Sequence, residues 1–155
     1  MNKEIKAPDK EIPDMPTIFL AGSIENGKAE KWHHKVVEAT KNSNVALYNP
    51  RRDGWDSTWQ FGHSELINQI KWELERIVTA DAVYFYFDPN TTSPITLLEL
   101  GIILGITTEE MDVRLVVYCP KEYFRAQNVY TTCEVFGIDV YSDFDESIQA
   151  LQRLI

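Results

Sequence analysis

An α/β fold of three layers, flavodoxin-like or Rossmann-like, is what the 155-residue sequence predicts: a five-stranded parallel sheet with helices on both faces. Three observations carry this. Strand and helix patterns alternate from Thr17 onward. The strand runs are continuously apolar, as in a sheet covered on both sides. The length suits one domain, for which the order 2-1-3-4-5 is the natural arrangement.

The elements follow in order. Residues 1–16 hold three prolines and seven charges without periodicity, and are expected to form a flexible arm ahead of one domain at 17–155. Thr17-Ile-Phe-Leu-Ala21, closed by Gly22, reads as a buried strand. Residues 28–42 carry Trp32, Val36 and Ala39 on one helical face. Val45-Ala-Leu-Tyr48 is a second strand, stopped by Asn49-Pro50, and a polar loop follows. Residues 64–79 form a helix with Ile67, Ile70, Leu74 and Ile77 on one side. Ala82-Val-Tyr-Phe-Tyr-Phe87 is the strongest strand. Ser93-Pro94 reads as an N-cap with proline at the first helical position, starting a helix that runs to about Gly105. Strands at 114–118 and 138–141, a short helix between them, and a helix at 144–154 complete the pattern.

Fifteen basic residues against 24 acidic ones give a net charge of -9. That counts against a nucleic-acid backbone binder and against an anionic-membrane binder, both of which need a basic face. The longest apolar run, from Ile95 to Ile106, is broken by Glu99 and is too short to span a bilayer. No apolar stretch follows a basic start, so a cytoplasmic protein is expected. Cys119 and Cys133 form no CxxC pair and read as reduced thiols.

The helix after Ser93 is the most informative segment. Pro94-Ile-Thr-Leu-Leu-Glu-Leu-Gly-Ile-Ile-Leu-Gly-Ile106 has only two polar side chains, Thr96 and Glu99. A helix apolar all round is buried, here between the sheet and something else, and Gly101 and Gly105 leave a smooth strip for close packing. Glu99 is then a carboxylate in apolar surroundings with a partner or a task, or else it lies on a narrow solvated stripe. The helix N-terminus would weakly favour its ionised form, which is suited to nucleophilic attack. Glu73 borders the apolar stripe of the preceding helix, where a plain surface acid is the competing reading. Asp88 follows the third strand, at the end where ligands bind in such sheets. Asp81 lies at the opposite end and reads as a turn or cap residue.

These features resemble the nucleoside 2-deoxyribosyltransferase family and its relative, the 2′-deoxynucleoside 5′-phosphate N-hydrolases. Four segments carry the resemblance in family order: Ile18-Phe-Leu-Ala-Gly-Ser-Ile24 followed by Gly27; Trp72-Glu-Leu-Glu-Arg-Ile-Val-Thr-Ala-Asp81; Ser93 followed by Glu99-Leu-Gly101; and Pro120-Lys-Glu-Tyr-Phe-Arg-Ala-Gln-Asn128. The resemblance implies that Glu99 is the nucleophile and that Glu73 stands for a catalytic aspartate. It implies that Ser93 stands where the transferases carry aspartate and the nucleotide hydrolases serine. Gly22 and Ser23 would form the backbone-exposing loop near sugar or phosphate, and Asn128 would reach a neighbouring subunit's active site. A homo-oligomer, at least a dimer, is therefore expected, with a nucleoside or nucleotide as ligand and a place in nucleotide salvage.

Two departures matter. Phe19 stands where the family has tyrosine, so a hydroxyl is lost beside the ligand. Glu25 stands where the nucleotide hydrolases have arginine, which favours a free nucleoside unless Arg51 or Arg52 supplies the positive charge.

The chemistry implied is N-glycosidic cleavage through an oxocarbenium-like state at C1′. One carboxylate stabilises or bonds that carbon, and a second acid protonates the departing base. No metal or redox cofactor is required. The loop from Tyr48 to Trp59 offers Trp55 for base stacking, or is packed by its own tryptophans. His33, His34 and His63 read as solvated rather than metal-binding. Besides a transferase, a nucleotide hydrolase and a non-catalytic nucleotide-binding or sensing domain remain open.

Overall fold

A computed structural model describes residues 1–25, 29–107 and 114–155. Gly27 and Lys28 lie outside the described residues. The elements are β1 (Lys3–Lys6), β2 (Thr17–Gly22), α1 (Trp32–Ala39), β3 (Ala46–Asn49), α2 (Ser64–Thr79), β4 (Ala82–Tyr86), α3 (Pro94–Ile106), β5 (Arg114–Tyr118), α4 (Ala126–Val135), β6 (Val140–Tyr141) and α5 (Phe144–Gln152).

The sheet is parallel throughout, in the order β1-β3-β2-β4-β5-β6. From Thr17 onward this is the expected flavodoxin-like order. The strand number is corrected from five to six, because the segment expected as a flexible arm contributes β1. Lys3 to Lys6 pair with Ala46 to Asn49. Only Ile5 of β1 is buried. A four-residue edge strand with charges on its open side leaves no apolar run for a sequence pattern to register.

Alternation along each strand builds two cores. Ile18, Leu20, Leu47 and Tyr84 face Trp32 and Val36 of α1 and Ile148 and Leu151 of α5. Phe19, Tyr48, Val83 and Phe85 face Trp72 and Ile77 of α2, Leu100 and Ile103 of α3, and Val129 and Cys133 of α4. Cys119 and Cys133 are unpaired buried thiols within that second core. Asp81, read as a turn or cap residue, instead ties the starts of β2 and β4: its Oδ2 accepts from Thr17 N at 2.8 Å and Thr17 Oγ1 at 2.9 Å.

Apolar spacing alone does not give the buried face of two helices. In α3, Thr96 and Glu99 are buried, while Ile95 and Leu98 are 58% and 59% exposed. In α2, Gln69, Trp72 and Arg76 are buried with Ile77, whereas Ile67, Ile70 and Leu74 are exposed. The two helices pack beside each other. Gln69, Arg76, Thr96 and Glu99 therefore point inward, while Ile67, Ile70, Leu74, Ile95 and Leu98 point outward. Among the described residues no helix is long and apolar enough to cross a membrane.

Candidate active site

Chain direction reverses across the sheet at β2: one path runs through β3 to β1, the other through β4 to β6. Ligands in such sheets bind beyond the carboxyl ends of the strands at this point. The first turns of α3 lead away from it. They carry Glu99 inward, 6% exposed, against the side of α2 that carries Glu73. The solvated-stripe reading of Glu99 is thereby overturned. Burial pushes the Glu99 carboxyl well above the usual carboxylate range, and the neighbouring Glu73 pushes it the same way. Desolvation thus outweighs the helix dipole that was expected to keep Glu99 ionised. Burial also lifts Glu73 to about 6, against a hydrogen bond from Gln69 that favours its charged form. Two such acids titrate as a pair, and the pair keeps a proton to higher pH than ordinary carboxyls do.

In the loops after β2 and β4 lies a knot of buried hydroxyls. Ser23 Oγ and Ser93 Oγ share a short hydrogen bond, and Thr91 Oγ1 donates to Ser23 Oγ at 2.9 Å and pairs with Ser93 Oγ at 2.7 Å. Asp88 N donates to Ser23 Oγ at 3.1 Å. The Asp88 carboxylate accepts from Asn90 N at 2.8 Å and from Glu30 N at 3.0 Å, so it braces the loops after β4 and β2 against each other. Ser93 does not cap α3 with its side chain, as its N-cap reading predicts; it sits at φ 47°, with its hydroxyl committed to the knot. The cap comes from Glu25 instead. Its Oε1 accepts from Thr92 N at 2.7 Å, Thr92 Oγ1 at 2.9 Å and Ser93 N at 2.6 Å. A carboxylate on free N–H groups at a helix start is favourable for both the orphan donors and the dipole.

Gly22 admits no side chain. A Cβ there would lie 2.5 Å from Trp32 Cζ2 and 2.7 Å from the Tyr86 carbonyl oxygen. Phe19 is fully buried, its ring tilted 6.4 Å from that of Trp72. The loop after β3 forms a second cluster. Trp55 meets Trp59 edge-on at 5.0 Å, Trp59 stacks on His63 at 5.2 Å, and the Arg52 guanidinium lies 5.3 Å over Trp59. The tryptophans thus pack on each other. Arg51 Nη1 and Arg52 Nε are buried without a partner among the described residues. This loop joins the acid pair through Gln69, which bridges the Pro50 carbonyl and Glu73.

Asn128 is exposed inside α4, three residues past its N-cap Arg125, so it does not cap that helix. No interaction among the described residues joins it to Glu99 or Glu73 within the protomer. His33 is not solvated as expected. It is buried and stacks on Trp32 at 3.7 Å, and burial, with Arg51 and Lys6 nearby, pulls its pKa down to about 3. Among the described residues no three His, Cys, Asp or Glu side chains gather as a metal ion needs. An open groove of about 790 Å³ runs between α1 and α5, lined by Glu30, Lys35 and Phe144 among others. It lies on the sheet face opposite the carboxylates and holds none of the expected site residues. Sequence reasoning missed Glu25 as a cap and Gln69 and Thr91 altogether. Gln69 had one available signal, its i,i+4 spacing to Glu73; the Glu25 contact, 67 residues away, had none.

The family described as nucleoside 2-deoxyribosyltransferase like matches residues 15–123. No curated protein matches the chain. The match covers most of the 155 residues, including every strand from β2 to β5 and both carboxylates, and the chain belongs to this family.

Proposed function

We propose that the protein cleaves the N-glycosidic bond of 2′-deoxynucleosides, handing the deoxyribosyl group to water or to a second base. The observation that supports this most is buried Glu99 set beside half-buried Glu73, both carboxyls held above the usual carboxylate range, so that one can ionise while the other keeps its proton. Cleavage needs that inventory. A Glu99 carboxylate oxygen bonds to C1′ as the C1′–N bond breaks, and a ring nitrogen of the departing base other than the one bonded to C1′ takes the Glu73 proton. The ionised Glu73 then removes a proton from the incoming water or base, which attacks C1′ and releases Glu99. Positive charge developing at C1′ draws the ionisation to Glu99 when substrate is bound.

The free nucleoside, rather than its 5′-monophosphate, is the proposed substrate. Glu25 already places a carboxylate on the N–H groups of Thr92 and Ser93, where a phosphate would meet like charge. Chromatography of deoxynucleosides and their 5′-phosphates after incubation, with and without an acceptor base, tests both points. Free nucleosides are expected to react at least about tenfold faster, equivalent to ~1.4 kcal/mol. Faster turnover of the monophosphates overturns the preference and turns attention to Arg51 and Arg52.

The same reading includes a homodimer with composite sites. Ile67, Ile70 and Leu74 of α2 and Ile95 and Leu98 of α3 leave neighbouring apolar side chains bare, which a second copy would cover. Asn128, exposed on α4, is free to reach the partner's carboxylates. Mixing inactive Glu99→Gln chains with inactive Asn128→Ala chains is expected to restore activity through heterodimers that hold one intact site. A monomer by light scattering at micromolar concentration, or no recovery after proven subunit exchange, counts against it.

A further inference from the structure

Gln69 is 2% exposed and stands one helical turn before Glu73 on α2. Its Nε2 donates to the Pro50 carbonyl oxygen at 2.9 Å and to Glu73 Oε1 at 2.7 Å. A proline carbonyl can only accept, so the amide cannot turn over without losing that bond. Both amide hydrogens are therefore committed, and the orientation of the group is set. Its Oε1 is left buried with no partner among the described residues. An acceptor stranded in that way costs about 1–3 kcal/mol, and such groups are normally completed by something else.

We propose that Gln69 is a specificity-determining residue, whose carbonyl oxygen accepts an amino hydrogen from the base whose ring nitrogen takes the Glu73 proton, so that the site selects amino-bearing bases over oxo-bearing ones. The inference rests on the glycosidic reading above. A protonated Glu73 offers a donor, and Gln69 Oε1 offers an acceptor on the same face of the same helix. Adenine presents the complement, an amino group beside the N7 acceptor. Cytosine does so with its amino group beside N3. Hypoxanthine and guanine place O6 beside N7, so an oxygen lone pair would face Gln69 Oε1. Thymine and uracil place O4 there, beside an N–H in place of the acceptor. The tether to Pro50 also makes Gln69 a positioning residue, because it holds the Glu73 carboxyl against the loop after β3.

Calorimetric titration of the full chain with adenine and with hypoxanthine at pH 5, below the Glu73 ionisation near 6, tests this without relying on turnover. Adenine is expected to bind about tenfold or more tightly, the discrimination one good base contact gives. Gln69→Met is expected to bring the two affinities within about twofold and to do the same to the kcat/KM ratio of deoxyadenosine to deoxyinosine. A merely structural role would weaken both ligands alike and leave the ratio standing. Because Gln69 donates to the charged form of Glu73, its loss also raises the Glu73 pKa and moves that limb of the pH profile upward. Equal affinity for the two bases, no adenine binding at millimolar concentration, or a ratio untouched in a folded Gln69→Met chain overturns the assignment. A buried water on Oε1 would show itself as equal affinity. Where the variant does not fold, the wild-type ratio alone decides. A chain that prefers adenine but releases base from no deoxynucleoside keeps this inference and loses the reaction.

Discussion

Glu99→Gln is expected to lower N-glycosidic turnover at least about 10³-fold, or ~4 kcal/mol in the barrier, while making the fold more stable at neutral pH. The two effects share one cause. Burial raises the folded-state pKa of Glu99 above its unfolded value. The folded protein holds that proton after the unfolded chain has released it, so stability is lost as pH rises above the ordinary glutamate value toward the folded one. Glutamine removes the penalty and the nucleophile together. Urea midpoints are therefore expected to coincide near pH 4 and to favour the variant at pH 7. The pH profile of the wild type should be bell-shaped, rising through the Glu73 ionisation near 6 and falling at higher pH as the pair loses its last proton. Residual activity within about tenfold of wild type sinks the nucleophile assignment.

Gly22→Ala is expected to cost about 3 kcal/mol or more, at the upper end of what overpacking a core costs. The new methyl would meet Trp32 Cζ2 at 2.5 Å, the Tyr86 carbonyl oxygen at 2.7 Å and Tyr86 Cβ at 2.9 Å. None of these can yield cheaply. Trp32 stacks on Tyr86 at 4.8 Å, and its Nε1 donates to the Ser23 carbonyl at 3.0 Å. The Tyr86 carbonyl accepts from Ser23 N at 3.1 Å in the β2–β4 ladder. Relief would have to part the two central strands and displace Ser23 from the hydroxyl knot. A lower urea midpoint with a changed near-ultraviolet tryptophan signal is the expected reading; a midpoint within 0.5 kcal/mol of wild type, the range of an indifferent surface change, would falsify the close-packing account.

Much of the candidate site was legible because its chemistry stands out against local pattern. Glu99 is conspicuous as the one charge in a thirteen-residue helix otherwise almost wholly apolar. Ser23, Asp88 and Ser93 follow from the rule that strand ends at a switch point carry the ligand site. Gln69 and Thr91 were not legible: an uncharged polar residue has no periodic signature, and what singles these two out is whom they touch.

Local periodicity determined the order of elements from Thr17, the parallel strand order and the two faces of each central strand, since a strand buried on both sides needs apolar residues at every position. Only the tertiary structure decided which way α2 and α3 turn. α3 is apolar around most of its circumference, so its hydrophobicity does not orient it, and α2 buries only Ile77 of the four residues on its apolar side. The turn was settled by the neighbours: Trp72 and Ile77 on one side and Leu100 and Ile103 on the other fill the core over β2 and β4, and that rotation carries Gln69, Glu73 and Glu99 inward. The Glu25 cap and the β1 edge were likewise decided in three dimensions, because each depends on a hydrogen-bond partner more than 35 residues away, and pairing at that distance leaves no trace in local sequence.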